Sequence, residues 1–382
     1  MRHLYSRFLQ ARPGILHMSP HSHYYWPDVT RDAHLQYWDD SAMHADEKWD
    51  VIFGQRVPAV QRMIAERINL SDPAQIVFAP NTHEFVYRLM SCFDASKPLR
   101  ILTTDSEFHS FNRQSRRILE RGNVELEIVQ AEPFDTLTQR WHEAVASKTY
   151  DLIFISQIFY NSGVAAPAPQ AWLDAVRSDD TVIVVDGYHG FGAVPTDWSA
   201  YEDQVFYLAG GYKYAQAGEG VCFAVVPKGC ALRPEYTGWF ADFASLAHPQ
   251  EGPVGYADDG YRMAGATMDF SALYRLQAVM GLWREEGLSD VKVNDYVRQL
   301  QSAFLEHIDS LDHAQLNRAN LLSHDLTSHG HFFTFRLASA DAVKTLAQTL
   351  KAQGVATDYR YDRLRFGFAL YQRSKDFQQI RG

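Results

Sequence analysis

The stretch YLAGGYKYAQAGEG places Lys213 between two tyrosines in an apolar, glycine-rich run. An amine in such surroundings loses hydration, so its proton is held less firmly and it becomes a nucleophile toward carbonyl carbon. Taken alone, a lysine there also reads as a surface side chain whose stem covers apolar neighbours. Twenty-seven positions upstream, VIVVDGYHGFG ends a β-branched run in Asp186, with His189 three residues on. An aspartate at the carboxyl end of a buried strand points into the crevice where open α/β sheets bind ligands. It could equally cap the next turn. Together the two residues fit pyridoxal 5'-phosphate chemistry. Lys213 would form a Schiff base with the cofactor aldehyde and move protons at the substrate Cα. Asp186 would face the ring nitrogen and keep the ring an electron sink.

Such a cofactor has further needs. Its phosphate requires backbone N–H groups at a helix start, and FAPNTHEFVYRL supplies a strand, a polar turn of Asn81, Thr82 and His83, and a helix. The same turn serves as an ordinary N-cap, and the two readings are compatible. A flat partner for the ring is available in Phe108 of DSEFHSF, although an isolated phenylalanine also reads as core.

Elements must hold these residues. Short apolar runs (QIVFAP, RILTTD, ELEIVQ, DLIFISQIF, TVIVVDG, QVFYLAG and VCFAVVP) alternate with longer amphipathic segments such as EFVYRLMSCF, FNRQSRRILERG and PQAWLDAVRS. The alternation predicts an α/β fold, a mostly parallel sheet sandwiched by helices, with the last two strands antiparallel. After about Gly255 the character changes. A long helical region from Ser271 to Ser310 precedes HFFTFRLA, a helix with Ser339 as N-cap and Gly354 as stop, and RLRFGFAL. These predict three parts: a His-, Tyr- and Trp-rich segment 1–30 lying across a domain junction, a large domain 31–255, and a smaller α+β domain 256–382.

The order and spacing of these pieces resemble the class V aminotransferase superfamily of fold type I pyridoxal phosphate enzymes, in its kynureninase and cysteine desulfurase branch. DGYHGFGAVPTDW resembles the family's Asp-x-x-His segment, and GGYKYAQAGEG the kynureninase segment in which a tyrosine precedes the Schiff-base lysine. LRPEYTGWF, which carries Trp239, GVATDYRYDRLRFGFALYQRSKD and the early ILHMSPHSHYYW also resemble kynureninase. The likeness spans nearly the whole chain. It implies Lys213 as the Schiff-base residue, Asp186 at the ring nitrogen, Phe108 stacked on the ring and His189 beside it. It implies Thr82, His83 and Tyr212, next to Asn81, at the phosphate, Tyr160 near the phenolic oxygen, and Trp239 in the cofactor's surroundings. Arg365 would grip the substrate carboxylate, with Arg360 as a competitor, and His21 and His23 would face the substrate. RMAGATMDF resembles a stretch through which a neighbouring subunit touches the phosphate, so Thr267 points to a homodimer with shared sites.

Departures bear on the reaction. Cysteine desulfurases use a cysteine on a C-terminal mobile loop, and no cysteine follows Cys230 here. PHSHYYW replaces an Asn-Ser-Leu-Gly-like segment of kynureninases, so the substrate end of the pocket is expected to differ. Glu219 stands where kynureninases place a proline, either as an acid near the cofactor or as a solvated loop residue. His21 with His23 and His329 with His331 have a spacing that could suit zinc, but no Cys or acidic set completes either pair. No metal is expected, and the histidines are read as polar contacts near the pocket.

Composition narrows the rest. The 382 residues carry 36 Lys and Arg against 46 Asp and Glu, a formal charge of -10 without a basic run, which argues against nucleic acid. Cys92, Cys222 and Cys230 have no framework spacing, and no apolar stretch approaches a membrane span. A cytoplasmic enzyme acting on a small-molecule amino-acid substrate is expected. The leading reading is a kynureninase-like lyase or hydrolase that cleaves a side-chain bond. Transamination with a keto acid is the alternative, and a non-catalytic binding protein of the same fold a third.

Overall fold

The seven apolar runs between Gln75 and Pro227 all become strands of one sheet. In the computed structural model, which describes residues 1–247 and 252–382, the strands in chain order are β1 (Leu16–His17), β2 (Ile76–Ala79), β3 (Leu99–Thr104), β4 (Val124–Val129), β5 (Leu152–Ser156), β6 (Val182–Asp186), β7 (Val205–Gly210), β8 (Cys222–Val225), β9 (Phe332–Arg336), β10 (Val355–Ala356), β11 (Asp358–Arg360) and β12 (Arg363–Gly367). The large sheet runs β2-β8-β7-β6-β5-β3-β4, and β8 alone is antiparallel to its neighbours. β5 and β7 are buried at every position, as strands covered on both faces must be. The edge strand β4 is instead half exposed, and Lys148 pairs with its Glu125 and Glu127.

Strand order explains where a site can form. From β3 the chain steps outward to β4, then returns to β5 and moves the other way through β6 and β7. The loops after β3 and β5 therefore diverge and leave a crevice at the carboxyl ends of the strands. Into this crevice open the turns that carry Glu107 and Phe108, Ser156 and Tyr160, Asp186 and His189, and Lys213. Facing them is the amino end of the helix Thr82–Met90, whose N-cap Asn81 accepts a hydrogen bond from the Glu84 amide (3.0 Å).

Two amphipathic segments differ from their expected form. PQAWLDAVRS makes two single 3-10 turns, Pro169–Ala171 and Leu173–Ala175, rather than a helix. Trp172 between them is fully buried and donates to the Pro167 carbonyl (3.1 Å), so one anchored side chain outweighs the helical periodicity. The region 271–310 is two helices, Ser271–Glu285 and Asp290–Ser310. Gly287, in the left-handed region (φ 62°), ends the first, and the Ser289 hydroxyl caps the second by accepting from the Lys292 amide.

Packing divides the molecule into two apolar cores. The larger holds the seven-stranded sheet together with buried residues from Met263 to Val293. The smaller begins at Val297 and joins the three-stranded antiparallel sheet β11-β12-β9 to the helix Ala340–Ala352, with six phenylalanines at its centre (Phe304, Phe333, Phe335, Phe366, Phe368 and Phe377). The buried apolar residues of the helix Ser271–Glu285 belong to the larger core, and those of the helix Asp290–Ser310 divide between the two, Val293 in the larger and Val297 onward in the smaller. The first thirty residues cross between the cores: Leu16 and Met18 lie in the smaller, Tyr5, Tyr24 and Tyr25 in the larger. Strand β1 pairs with β10, fastening this segment to the smaller unit.

Candidate active site

β7 ends at Gly210, and the loop that follows folds back tightly: the Ala217 amide donates to the Gly211 carbonyl (2.7 Å) and the Gln216 amide to the Lys213 carbonyl (2.9 Å). Gln216 takes a positive φ of 61°, which side chains seldom tolerate, and its amide oxygen accepts from the Tyr5 hydroxyl (2.6 Å). The amino-terminal segment thereby stabilises a strained loop whose purpose is to turn Lys213 inward.

Lys213 is buried, with its Nζ 2.9 Å from His189 Nε2 and near the rings of Tyr188 (4.7 Å) and Phe108 (5.1 Å). Burial pushes its ammonium down to about 7; Asp186 opposes that shift and Arg365 adds to it. His189 is held neutral, first by burial and then by the charges of Lys213 and Arg365. Burial raises the Asp186 carboxyl, while the Tyr188 amide, donating to it at 2.9 Å, and Lys213 stabilise its charge. An amine of low basicity, a carboxylate and a neutral imidazole therefore meet in a cavity of about 180 Å³.

Its wall also contains Asn81, Thr82, His83, Phe108, Tyr160 and Tyr212, each singled out from the sequence. Phe108 is half-buried and meets Tyr160 edge to face (5.5 Å), so it forms part of the cavity wall and not of the core. The carboxyl-bearing loop residue Glu219 stands at the rim, exposed, with its carbonyl accepting from Arg275 Nη2 (2.6 Å).

Other expected residues lie elsewhere. Trp239 and Thr267 do not line the cavity; both are exposed, and the indole N–H donates to the Thr267 hydroxyl (3.1 Å). Arg360 is exposed and pairs with Asp358 (3.0 Å). Arg365 is buried beside the cavity, donating to the Tyr160 carbonyl (2.5 Å) and paired with Asp358. The histidines of each spaced pair part company. His21 is buried against Phe332 (4.6 Å), whereas His23 is exposed 5.6 Å from the Tyr212 ring. His329 and His331 are bonded separately, to the Ser323 carbonyl (3.0 Å) and the Asn294 side-chain oxygen (3.2 Å). Among the described residues no three His, Cys, Asp or Glu side chains gather as a ligand set for a metal, and no helix is long and apolar enough to cross a membrane.

Two residues were not anticipated. Ser156 ends β5 opposite Asp186 and lines the cavity. Its hydroxyl donates to Glu107 (2.5 Å), which also accepts from the Thr104 hydroxyl (2.6 Å). Full burial, with a smaller contribution from Asp186, pushes the Glu107 carboxyl up to about 8, against the lowering effect of both hydroxyls. A carboxyl whose folded pKa exceeds its unfolded one stabilises the fold below the unfolded value and loses that contribution as pH rises through the folded one. Wild-type stability should therefore fall between about pH 4.5 and pH 8 by an amount that Glu107→Gln removes, as urea denaturation midpoints across that range would register. Parallel pH profiles for the two proteins would refute it.

Comparison with known proteins decides the family. A profile described as Aminotransferase class-V matches residues 29–359. The chain belongs to the class-V aminotransferase family of pyridoxal-phosphate-dependent enzymes. No curated protein sequence matches it. Among solved structures, a lysine-substituted mutant of C-DES with glycine covalently linked to its pyridoxal phosphate superposes with a TM-score of 0.82 at 17% identity, covering 99% of this chain and 97% of that one. C-DES, a cystine C–S lyase, in complex with its reaction product cysteine persulfide gives 0.81 at 17% identity, covering 97% of each chain. The cysteine desulfurase CsdA from Escherichia coli gives 0.76 at 15% identity, over 99% and 95% of the two chains. The shared fold is that of fold type I enzymes. The residues of the cavity suit the family's cofactor: an enclosed amine of low basicity for its aldehyde, a carboxylate for its ring nitrogen, an aromatic wall for its ring, and a helix amino end for its phosphate.

Proposed function

We propose that the enzyme cleaves a side-chain bond of a free α-amino acid, as a kynureninase-like lyase or hydrolase. Bound pyridoxal phosphate would supply an aldehyde that condenses with amines and a ring that stores the electron pair released at the substrate Cα. Thr82, His83 and Tyr212 would hold the phosphate, with Asn81 fixing the helix start that carries the positive end of its dipole. Asp186 would hold a proton on the ring nitrogen, Phe108 would cover one face, and Tyr160 would lie by the phenolic oxygen. Lys213 would take the proton from Cα, and Arg365 would orient the substrate through its carboxylate. A second copy of the chain is expected to complete the site, a reading supported by the exposure of Trp239 and Thr267 outside this chain's own cavity. The three unpaired cysteines suit the reducing cytoplasm.

The observation that carries side-chain cleavage is the pair of bases at 2.9 Å, the weakly basic amine of Lys213 and the neutral imidazole of His189. Transamination needs one base to shuttle a single proton. Cleavage needs a second proton transfer, to the departing group or from an attacking water, and His189 can serve it while Lys213 serves Cα. A route through the enzyme's own thiol is disfavoured: Cys222 is buried with its thiol pushed up to about 12, and no cysteine follows Cys230. The C–S lyase activity of C-DES offers a relative in fold that cleaves at a side chain.

The test is turnover of single amino acids by the holoenzyme without any keto acid, over a panel that includes L-kynurenine and L-cystine. Many product equivalents with a stable visible spectrum are expected. One equivalent per site followed by bleaching would identify a transaminase.

A further inference from the structure

Arg365 is not a free clamp. β11 and β12 form a hairpin whose register sets Asp358 opposite Arg365, and the two side chains pair directly. The Tyr160 carbonyl takes Nη1 and Asp358 takes Nη2, while Nε is buried with no hydrogen-bond partner. His21 lies on the same side: its Nε2 is 3.7 Å from Asp358, the ring is buried, and neither ring nitrogen has a hydrogen-bond partner. Unpaired buried donors of this kind are costly, and their convergence on one spot beside Lys213 and His189 marks a place where an acceptor belongs. The resident carboxylate occupies only part of it.

Resting on the assignment of Arg365 to the substrate carboxylate, we infer that Asp358 is an exchangeable occupant of that site, which an incoming α-carboxylate displaces onto Arg360. A carboxylate approaching the side of the guanidinium would take Nε and Nη2, the bidentate geometry arginine favours, and leave Asp358 without its place. Expelling a carboxylate from a buried pair would ordinarily be prohibitive, because an uncompensated charge remains. Here it has somewhere to go. Arg360 Nη1 already touches the other oxygen of Asp358 at 3.0 Å, and Arg360 is exposed. β11 is the edge strand of its sheet, and its residues from Tyr359 onward are exposed, so the carboxylate can rotate toward water without disturbing the core. His21, held neutral by burial and by the Arg365 charge, can then donate an N–H to the ligand.

The exchange makes Asp358 a specificity residue with two consequences. It keeps the buried guanidinium neutralised when no substrate is present. It also tempers the preference for a carboxylate, because an anionic ligand must break the resident ion pair before it forms its own.

The experiment titrates the holoenzyme with L-alanine and with L-alaninamide, following the visible spectrum, and reads the ratio of the two dissociation constants. Removing the competing carboxylate in Asp358→Asn is expected to raise the preference for L-alanine roughly tenfold. Arg360→Gln, which removes the alternative partner of Asp358 at an exposed position, is expected to lower it. A preference unchanged or reduced in Asp358→Asn would overturn the exchange and leave Asp358 as a support that merely holds Arg365 in position. Arg365→Gln separates the two layers of the argument. If it abolishes the preference while Asp358→Asn leaves it unchanged, the exchange alone falls; if the preference survives in Arg365→Gln, the carboxylate assignment falls and the exchange with it.

Discussion

Replacement of Lys213 by Ala should abolish covalent attachment of pyridoxal phosphate and cut turnover by roughly 10²–10⁴-fold or more. The size follows from the surroundings. The amine is enclosed by Phe108, Tyr188 and His189, and burial brings its ammonium down to about 7, so far more of it is unprotonated and able to attack an aldehyde at neutral pH than of a solvated lysine. No neighbour can substitute. His189 can carry protons but cannot form a stable imine, and Lys213 is the one lysine lining the cavity among the described residues. Borohydride reduction of the wild-type holoenzyme and peptide mass mapping should place the pyridoxyl group on Lys213. The rate of attachment to the apoenzyme should climb with pH and level off above about 7, because the attacking form is the neutral amine. A label on a different lysine, or a rate that keeps rising to the ordinary lysine range, would refute the assignment.

What could be read from the chain, and what could not, follows from how local each signal is. The seven strands are legible because each is a short apolar run that ends in a turn. Lys213 and Asp186 are legible because each stands out as a charge at the end of such a run. The Asn81 cap carries its own local chemistry. Glu107 is different. In DSEFHSF a glutamate beside a phenylalanine reads as solvated, and its burial arises only when β3 and β5 lie side by side and bring Ser156 over it. The pairing of Asp358 with Arg365 was likewise hidden. It depends on a hairpin with Tyr361 and Asp362 at its turn, and neither is the Gly or Asn that announces such turns, although Tyr361 adopts a positive φ of 51°. PQAWLDAVRS misled because its period is helical while the burial of Trp172 is tertiary. The Gly287-Leu288-Ser289 break between the helices has its stop and its cap in the chain, but the apolar periodicity that continues on either side masks them, so the two helices read as one region.

Asp186→Ala should leave the protein folded and able to bind the cofactor through Lys213, yet lower turnover by roughly 10²–10³-fold. Asp186 closes β6 in register with Ser156 on one side and Leu208 on the other, so its backbone is held by two neighbouring strands and the alanine variant keeps the ladder. The side chain is another matter. Burial makes a lone charge there expensive, and what favours its ionised form is the Tyr188 amide and the Lys213 charge. A protonated ring nitrogen would be a third and closer partner, and a carboxylate raised by burial gains most from such a cation, because little solvent competes for either. Cofactor binding should accordingly draw the Asp186 carboxyl back toward full ionisation. The alanine variant would lack a partner for that cation, so a bound ring would be less readily protonated and less able to hold the electron pair released at Cα. Asp186→Asn, which keeps the shape without the charge, should fail almost as badly, whereas Asp186→Glu should recover part of the rate. A cofactor analogue carrying a permanent positive charge at the ring nitrogen, N-methylated pyridoxal phosphate, provides the discriminating measurement. Restoring activity to the alanine variant with this analogue is the expected result. An alanine variant that remains inactive with the analogue, while still binding it at Lys213, would show that Asp186 acts by shaping the cavity and not by charge.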